Sequence, residues 1–270
     1  MSLFRTFLIF LIVLILLGWA LFPIFYSLII SLSGFELPTK LGIPKEITLN
    51  NYIDALKDKE VWNATWNSLL IAIFATFLSI FTSIPSAYAF SRSQNKLSKF
   101  LYYLFLFFRL FPWIALAFPI FYLMAKLKLV DTYLGLGISH SVWIIPTSIW
   151  YLKGFFDMVP LEIEESAFVD GASPFQVLLK VVLPNILPGL IAVSILAFMS
   201  SYTEYLYSLI LTRTHTTTLP VLMAGYLSEF KVEWRKISAI SMLSTIPMII
   251  FYSYTLNFMK RGTLSGVIKG

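Results

Sequence analysis

The chain has 270 residues, 58% hydrophobic and 13% charged, with a formal net charge of +6 and no cysteine. A soluble domain carries roughly a quarter charged residues, so this chain has too little polar material to clothe a soluble surface and must present apolar side chains to lipid. The missing cysteines exclude disulfides, zinc–thiolate sites and iron–sulfur sites. The positive charge forms no basic stripe with interleaved aromatics, so it reads as headgroup anchoring and not as a nucleic-acid surface.

About 20 apolar residues in a helix cross the hydrocarbon core, and six segments qualify in chain order: 7–32, 68–90, 100–125, 134–152, 185–211 and 237–258. The uncharged stretch from Thr6 to Phe35 is too long for the apolar region of a signal peptide, and no small-x-small cleavage site follows it, so the expectation is an uncleaved first helix. The second segment has no charge between Val61 and Ser91; the third holds one, Arg109, and the fifth holds Glu204. Prolines 23, 85, 112, 119, 146, 188 and 247 fall inside these segments. Membrane helices tolerate them because neighbours re-satisfy the freed carbonyls. The expectation is one all-α polytopic membrane domain over 1–270. Its orientation is barely encoded in charge, because basic residues divide almost evenly between the two sides.

The segment 154–184 differs from the other connections. It is too polar to span, yet it is patterned as helix, with five acids (Asp157, Glu162, Glu164, Glu165 and Asp170) against Lys180. Pro160 suits a first helical position, and the acids that follow sit where the helix dipole favours anions. Leu161, Glu165, Phe168 and Ala172 share a face, with Ile163 and Ala167 beside it. Gly171 can take a left-handed conformation and stop the helix. Ser173 and Pro174 then restart it as N-cap and first residue. Phe175, Leu178, Leu179 and Val182 make the apolar face of the second helix, which Pro184 ends. Pattern alone leaves two readings open, an interfacial connector or a docking element for a soluble partner.

The spacing Glu165-Ser166-Ala167, three residues, Gly171, nine residues, Val181, one residue, Leu183-Pro184 resembles the EAA…G…I-LP loop of binding-protein-dependent ABC importer permeases, the MetI-like superfamily. It departs at Ser166, where alanine is usual, and at Val181, where isoleucine is usual. Thr48-Leu49-Asn50-Asn51-Tyr52, Asn67-Ser68, Gly154-Phe155-Phe156, Val159-Pro160, Thr203-Glu204-Tyr205 and Thr218-Leu219-Pro220 resemble the carbohydrate-uptake branch. The ending Arg261 to Gly270 resembles that of the shorter maltose-type permease. The resemblance implies six transmembrane helices in a cytoplasmic membrane, both termini in the cytoplasm, and a cytoplasmic coupling-helix loop. It places ATPase docking on Glu165, Ser166, Ala167, Asp170, Gly171, Ala172, Ser173 and Pro174. It implies a second permease subunit, an ATPase dimer and an extracytoplasmic solute-binding protein as partners. This chain would bind no cofactor, ATP and magnesium being held by the ATPase.

Glu204 is an intramembrane acid and so a functional candidate. With Tyr202 and Tyr205 it suits a solute path or gate; the alternatives are a structural bond between helices or a contact with the second permease. Arg109 can pair with Glu204, snorkel or face a cavity, and its phenylalanine surroundings favour a structural role. His140 and His215 lack the spaced companions of a metal site and read as plain polar residues. No glycine precedes a lysine, so a P-loop is absent, as are Gly-x-Ser-x-Gly and His-Glu-x-x-His. The missing motifs leave little support for an enzyme, and the resemblance implies a sugar-importer permease driven by a partner ATPase. The alternatives are a same-fold permease for another solute such as glycerol phosphate, an ATPase-independent carrier, and an intramembrane enzyme, which has no second acid to pair with Glu204.

Overall fold

The computed structural model describes residues 2–34, 46–227 and 232–267, with side chains described over 5–34, 46–227 and 232–253. Lys40, Lys45 and Lys231, and the tail residues Ile268, Lys269 and Gly270, lie outside the described residues. Among the described residues every regular element is helical, beside two isolated bridges, Ser33–Ile47 and Leu227–Val232. Two compact units share the chain, one made of Met1–Trp62 and Leu222–Ile246, the other of Asn63–Val221 and Pro247–Gly270.

The first unit holds α1 (Ser2–Ser31), α2 (Asn50–Lys57) and the beginnings of α3 (Lys59–Arg92) and α13 (Trp234–Val267). A helix leaves its last carbonyls without partners, and the Thr48–Tyr52 segment supplies them at the end of α1. Asn51 Nδ2 donates to the carbonyls of Ser31 and Ser33, 2.9 Å each, and the Tyr52 hydroxyl meets Ser31 Oγ at 2.6 Å. Asp58 caps α3 through the Glu60 N–H and accepts from Lys236 Nζ at 2.9 Å. That lysine bond, helped by the backbone N–H, holds the Asp58 carboxyl below its ordinary range against a smaller opposing effect of burial.

The second unit holds the rest of α3 with α4 (Lys96–Leu110), α5 (Ala117–Lys126), α6 (Tyr133–Asp157), α7 (Leu161–Val169), α8 (Pro174–Gln176), α9 (Leu183–Asn185), α10 (Leu187–Tyr202) and α11 (Leu206–Leu211). The α12 helix (Leu219–Gly225) leads back to the first unit. One buried cluster joins Ala87 of α3, Ile149, Leu152 and Phe156 of α6, and Val177, Leu178 and Val182 of the segment between α8 and α9. A second joins Ile71, Ile120, Met124, Leu136, Tyr207 and Leu211. Small residues let these helices close up: a Cβ on Gly137 of α6 would stand 2.1 Å from Phe74 Cδ1 of α3.

By length and composition, three helices among the described residues can cross a membrane, Arg5–Ser31, Lys59–Arg92 and Trp234–Ser253, and up to five can if each of two bent pairs is one span. The expected fourth span, 134–152, lies within the continuous helix α6, which is long enough to cross but is not among the helices apolar enough to do so by composition. The expected third, 100–125, is not one straight helix: it bends by 94° between α4 and a short 3-10 turn, Trp113–Leu116. Pro112 is the cause. A residue before proline is pushed to extended backbone, and Phe111 has φ −69° and ψ 134°. The Tyr207 hydroxyl donates to the Trp113 carbonyl at 2.8 Å beside the bend. The expected fifth span, 185–211, is interrupted twice, by an 83° bend between the helical run Pro174–Asn185 and α10, and by a break at 203–205. Pro23, Pro85, Pro146 and Pro247 stay inside continuous helices.

Candidate functional site

The segment after α6 is built much as its letters dictate. Pro160 stands at the N-cap of α7, one position before the expected one, and Glu162 and Glu164 occupy the first turn. The helix ends in two bonds, Ala172 N–H to the Ala167 carbonyl and Gly171 N–H to the Phe168 carbonyl, both 3.0 Å. This is the Schellman arrangement, which needs a left-handed residue, and Gly171 has φ +83°. No atom lies within 4 Å of a Cβ built there, so the turn demands glycine for its backbone angle and not for room inside this chain. Ser173 and Gln176 then form a reciprocal capping box with Pro174 as the first helical residue.

Beyond it the expectation fails in two respects. Val177–Val182 is a π turn, and the helix runs through Pro184 to Asn185. Proline cannot donate to the carbonyl four residues back and crowds it; the wider π turn just upstream relieves both and keeps the helix going. The added residue also turns the apolar face. Val177, Leu178 and Val182 are buried, while Phe175 and Leu179 are exposed. The hairpin is therefore rooted in the core of its unit, and its exposed rim is apolar: Leu161, Ile163, Phe168, Val169 and Phe175 all face outward, Val169 at 88%. Glu165, Ser166, Asp170, Gly171, Ser173 and Pro174 are exposed beside them, with Ala167 and Ala172 half-buried.

Glu164 differs from its acidic neighbours. It is 3% exposed. Its Oε2 accepts from the Tyr88 hydroxyl at 2.7 Å, and its Oε1 from Arg92 Nε at 2.8 Å. Sequence reasoning missed it, because an acid in a first helical turn normally faces water.

The break at 203–205 is the second candidate. Glu204 is 6% exposed. Its Oε1 accepts the Tyr207 N–H at 2.8 Å; its Oε2 accepts the Ser208 N–H at 2.9 Å and the Ser208 hydroxyl at 3.1 Å, and lies 3.2 Å from His140 Nε2. The first N–H groups of α11 have no carbonyl one turn back, and in hydrocarbon an unmatched N–H is costly. The Glu204 side chain replaces the lost carbonyls. His140 is not the plain polar residue expected: it is fully buried, and its Nδ1 meets Ser201 Oγ at 2.7 Å. The carboxylate only accepts, which fixes a proton on Nε2 and leaves Nδ1 facing the serine hydroxyl. Four polar groups from α6, α10, the break and α11 thus form one closed network. Arg109 takes no part in it; its guanidinium stacks 4.1 Å over the Trp150 ring. Tyr202 is buried against Phe198, with its hydroxyl unpartnered among the described residues, and Tyr205 is 41% exposed.

Beyond the break, the loop 212–218 is clamped by distant residues. Asp131 accepts the N–H groups of Arg213, Thr214, His215 and Thr216 and the Thr216 hydroxyl, at 2.8–3.2 Å. Burial raises its carboxyl pKa, but these donors together outweigh that and hold it well below the usual range. Asn67 Nδ2 donates to the His215 and Thr217 carbonyls, its Oδ1 accepts from Tyr133, and Ser68 Oγ accepts the Leu219 N–H. Sequence reasoning gave Asp131 no role.

Residues 75–262 match the family described as the binding-protein-dependent transport system inner membrane component. The chain belongs to this family of ABC transporter permeases. It is 31% identical to the trehalose/maltose transport system permease protein MalG of Thermococcus litoralis over 93% of this chain and 92% of that protein. It is also 31% identical to the trehalose transport system permease protein SugB of Mycobacterium tuberculosis over 94% of each. Its fold superposes on a chain of a bacterial ABC transporter that imports the acidic polysaccharide alginate, with a TM-score of 0.79, 25% identity, and 96% and 98% of the two chains covered. The permease is thus a multi-pass membrane protein of the MetI-like fold.

Proposed function

We propose that this permease imports a sugar or oligosaccharide, with ATP hydrolysed on a separate ATPase subunit that grips the hairpin 161–176 from the cytoplasm. The observation that carries the reading is the exposed apolar rim of α7 and α8, set on a helix with a fixed stop and a fixed restart. A cap at each side of Gly171 makes the hairpin stiff, and its anchored second half ties it to the helices of its unit. A stiff element can pass on a rigid-body displacement where a loose loop would absorb it. The trehalose and maltose transport systems to which the related permeases belong support a carbohydrate as solute. On this reading the chain spans six times with both termini in the cytoplasm, beside a second permease subunit, and receives solute from an extracytoplasmic binding protein. Tyr202 and Tyr205 border the break on the solute path, and Glu204, its carboxylate fully engaged, shapes the break.

The test is capture of the ATPase by the assembled permease pair, followed by uptake in proteoliposomes. Phe168→Asp should abolish capture, because it puts a charge into an apolar contact. Gly171→Asn, whose side chain tolerates φ near +83°, should weaken it only through bulk at the partner's surface. Undiminished capture by both variants, or uptake by this chain with no ATPase present, overturns the proposal.

A further inference from the structure

The acid at Glu164 is unused by the docking surface and costs free energy to bury, since desolvating an ion pair offsets much of its attraction. Its partners all come from the last turn and a half of α3. Arg92 directs Nε and Nη2 to Glu164 Oε1, its Nη2 also reaches the Val159 carbonyl at 3.2 Å, and Tyr88 takes the other carboxylate oxygen. Ser91 next to it donates to Asp157 Oδ1 at 2.6 Å, and Lys153 holds Asp157 Oδ2 at 2.7 Å. One end of a 34-residue helix is therefore bonded to the end of α6, to the α6–α7 corner and to α7 itself.

We propose that Arg92 and Glu164 are positioning residues that form a strut, making α3 move as one body with the docking helix. This rests on the docking reading of α7. A push on α7 has covalent routes only into α6 and α8; the Glu164 contacts add a direct route into α3. The geometry suits transmission in both directions along the pair: the carboxylate is held on both oxygens, and the guanidinium is also fixed by Val159 and by Ser91 Oγ at 3.0 Å from Nη1. Neither side chain can swing without breaking several bonds at once.

The cysteine-free chain allows a direct test in the complete transporter, permease pair and ATPase dimer, in nanodiscs. Spin labels at Glu162→Cys and Phe81→Cys, both exposed positions, report the distance from α7 to the middle of α3. In the native background that distance should differ by less than about 2 Å, the scale of a small helix shift, between nucleotide-free and ATP–vanadate-trapped complexes. Glu164→Gln should broaden the distribution and make its mean nucleotide-dependent by more than that amount. The exchange Arg92→Glu with Glu164→Arg should narrow it again. A contact that merely stabilised the fold would leave nucleotide dependence flat in all three. A nucleotide-dependent distance in the native background, or a Glu164→Gln complex indistinguishable from it, overturns the strut. Failure of docking itself reads differently, as undiminished ATPase capture by Phe168→Asp.

Discussion

Replacing Glu204 by glutamine changes one oxygen into an NH2 group and removes a charge, which isolates what the carboxylate does. The carboxylate has four donors and no spare partner for a donor of its own. Placed with its oxygen at the Oε2 position, the amide keeps Ser208 and His140 but turns its NH2 toward the Tyr207 N–H, 2.8 Å from the present Oε1. Placed the other way, it faces three donors. The first orientation wins and still leaves a buried N–H unmatched, worth about 1–3 kcal/mol, and it turns charge-assisted bonds into neutral ones at about 1 kcal/mol more. The expected loss is about 2–4 kcal/mol. At roughly 2–4 °C per kcal/mol for a chain of this order of size, the purified permease should melt several degrees lower. Amide exchange at Tyr207 and Ser208 should speed up with it. Glu204→Ala, which strands every donor, should be worse, and Ser208→Ala, which removes one hydroxyl, milder. Scanning fluorimetry ranks the three, and hydrogen exchange locates the change. If Glu204→Gln melts with the native protein and the two amides keep their protection, the break is not held by this side chain.

Asp131→Ala should release four backbone N–H groups of the 213–216 loop and speed proteolysis there, whereas Asp131→Asn, which keeps one acceptor and tolerates φ +59°, should do so less. The pH sign follows from the lowered carboxyl pKa: the stabilisation from Asp131 is complete above the ordinary value of about 3.9 and is lost only as pH falls through the lower folded value, so a pH titration of loop proteolysis should separate native from Asp131→Ala above pH 4 and converge in stronger acid. Gly137→Ala places a methyl onto the Phe74 ring and should destabilise by about 1–3 kcal/mol by overpacking; adding Phe74→Leu should recover part of it in the same melting assay. Glu162→Cys should react with a membrane-impermeant maleimide in inside-out vesicles and not in intact cells, and the reverse pattern rejects a cytoplasmic hairpin.

What the sequence disclosed and what it hid divide by the range of the interaction. Gly171, Ser173 and Pro174 act on neighbours within five positions, and their spacing alone specified the stop and restart that the structure contains, to which the structure adds Gln176 as the partner of Ser173. Glu164 has its partners 76 and 72 positions upstream, and His140 meets Ser201 across 61. The acid looked like a dipole partner in water and the histidine like an isolated polar residue, because nothing local marks either as paired. The prolines show the same division. Pro85, Pro146 and Pro247 are absorbed into helices, whereas Pro112 turns the chain by 94°. A count of apolar residues is blind to that difference, since both outcomes have the same composition. What separates them is whether the backbone groups freed at a break find donors and acceptors elsewhere. At Pro112 the Trp113 carbonyl has the Tyr207 hydroxyl, and at 203–205 the free N–H groups have Glu204. Tyr207 takes part in both, its hydroxyl at one break and its N–H at the other. The two interruptions therefore meet at one residue on α11, which donates its hydroxyl to the first and has its N–H satisfied by Glu204 at the second, so a helix bent at one of them is positioned to register a change at the other.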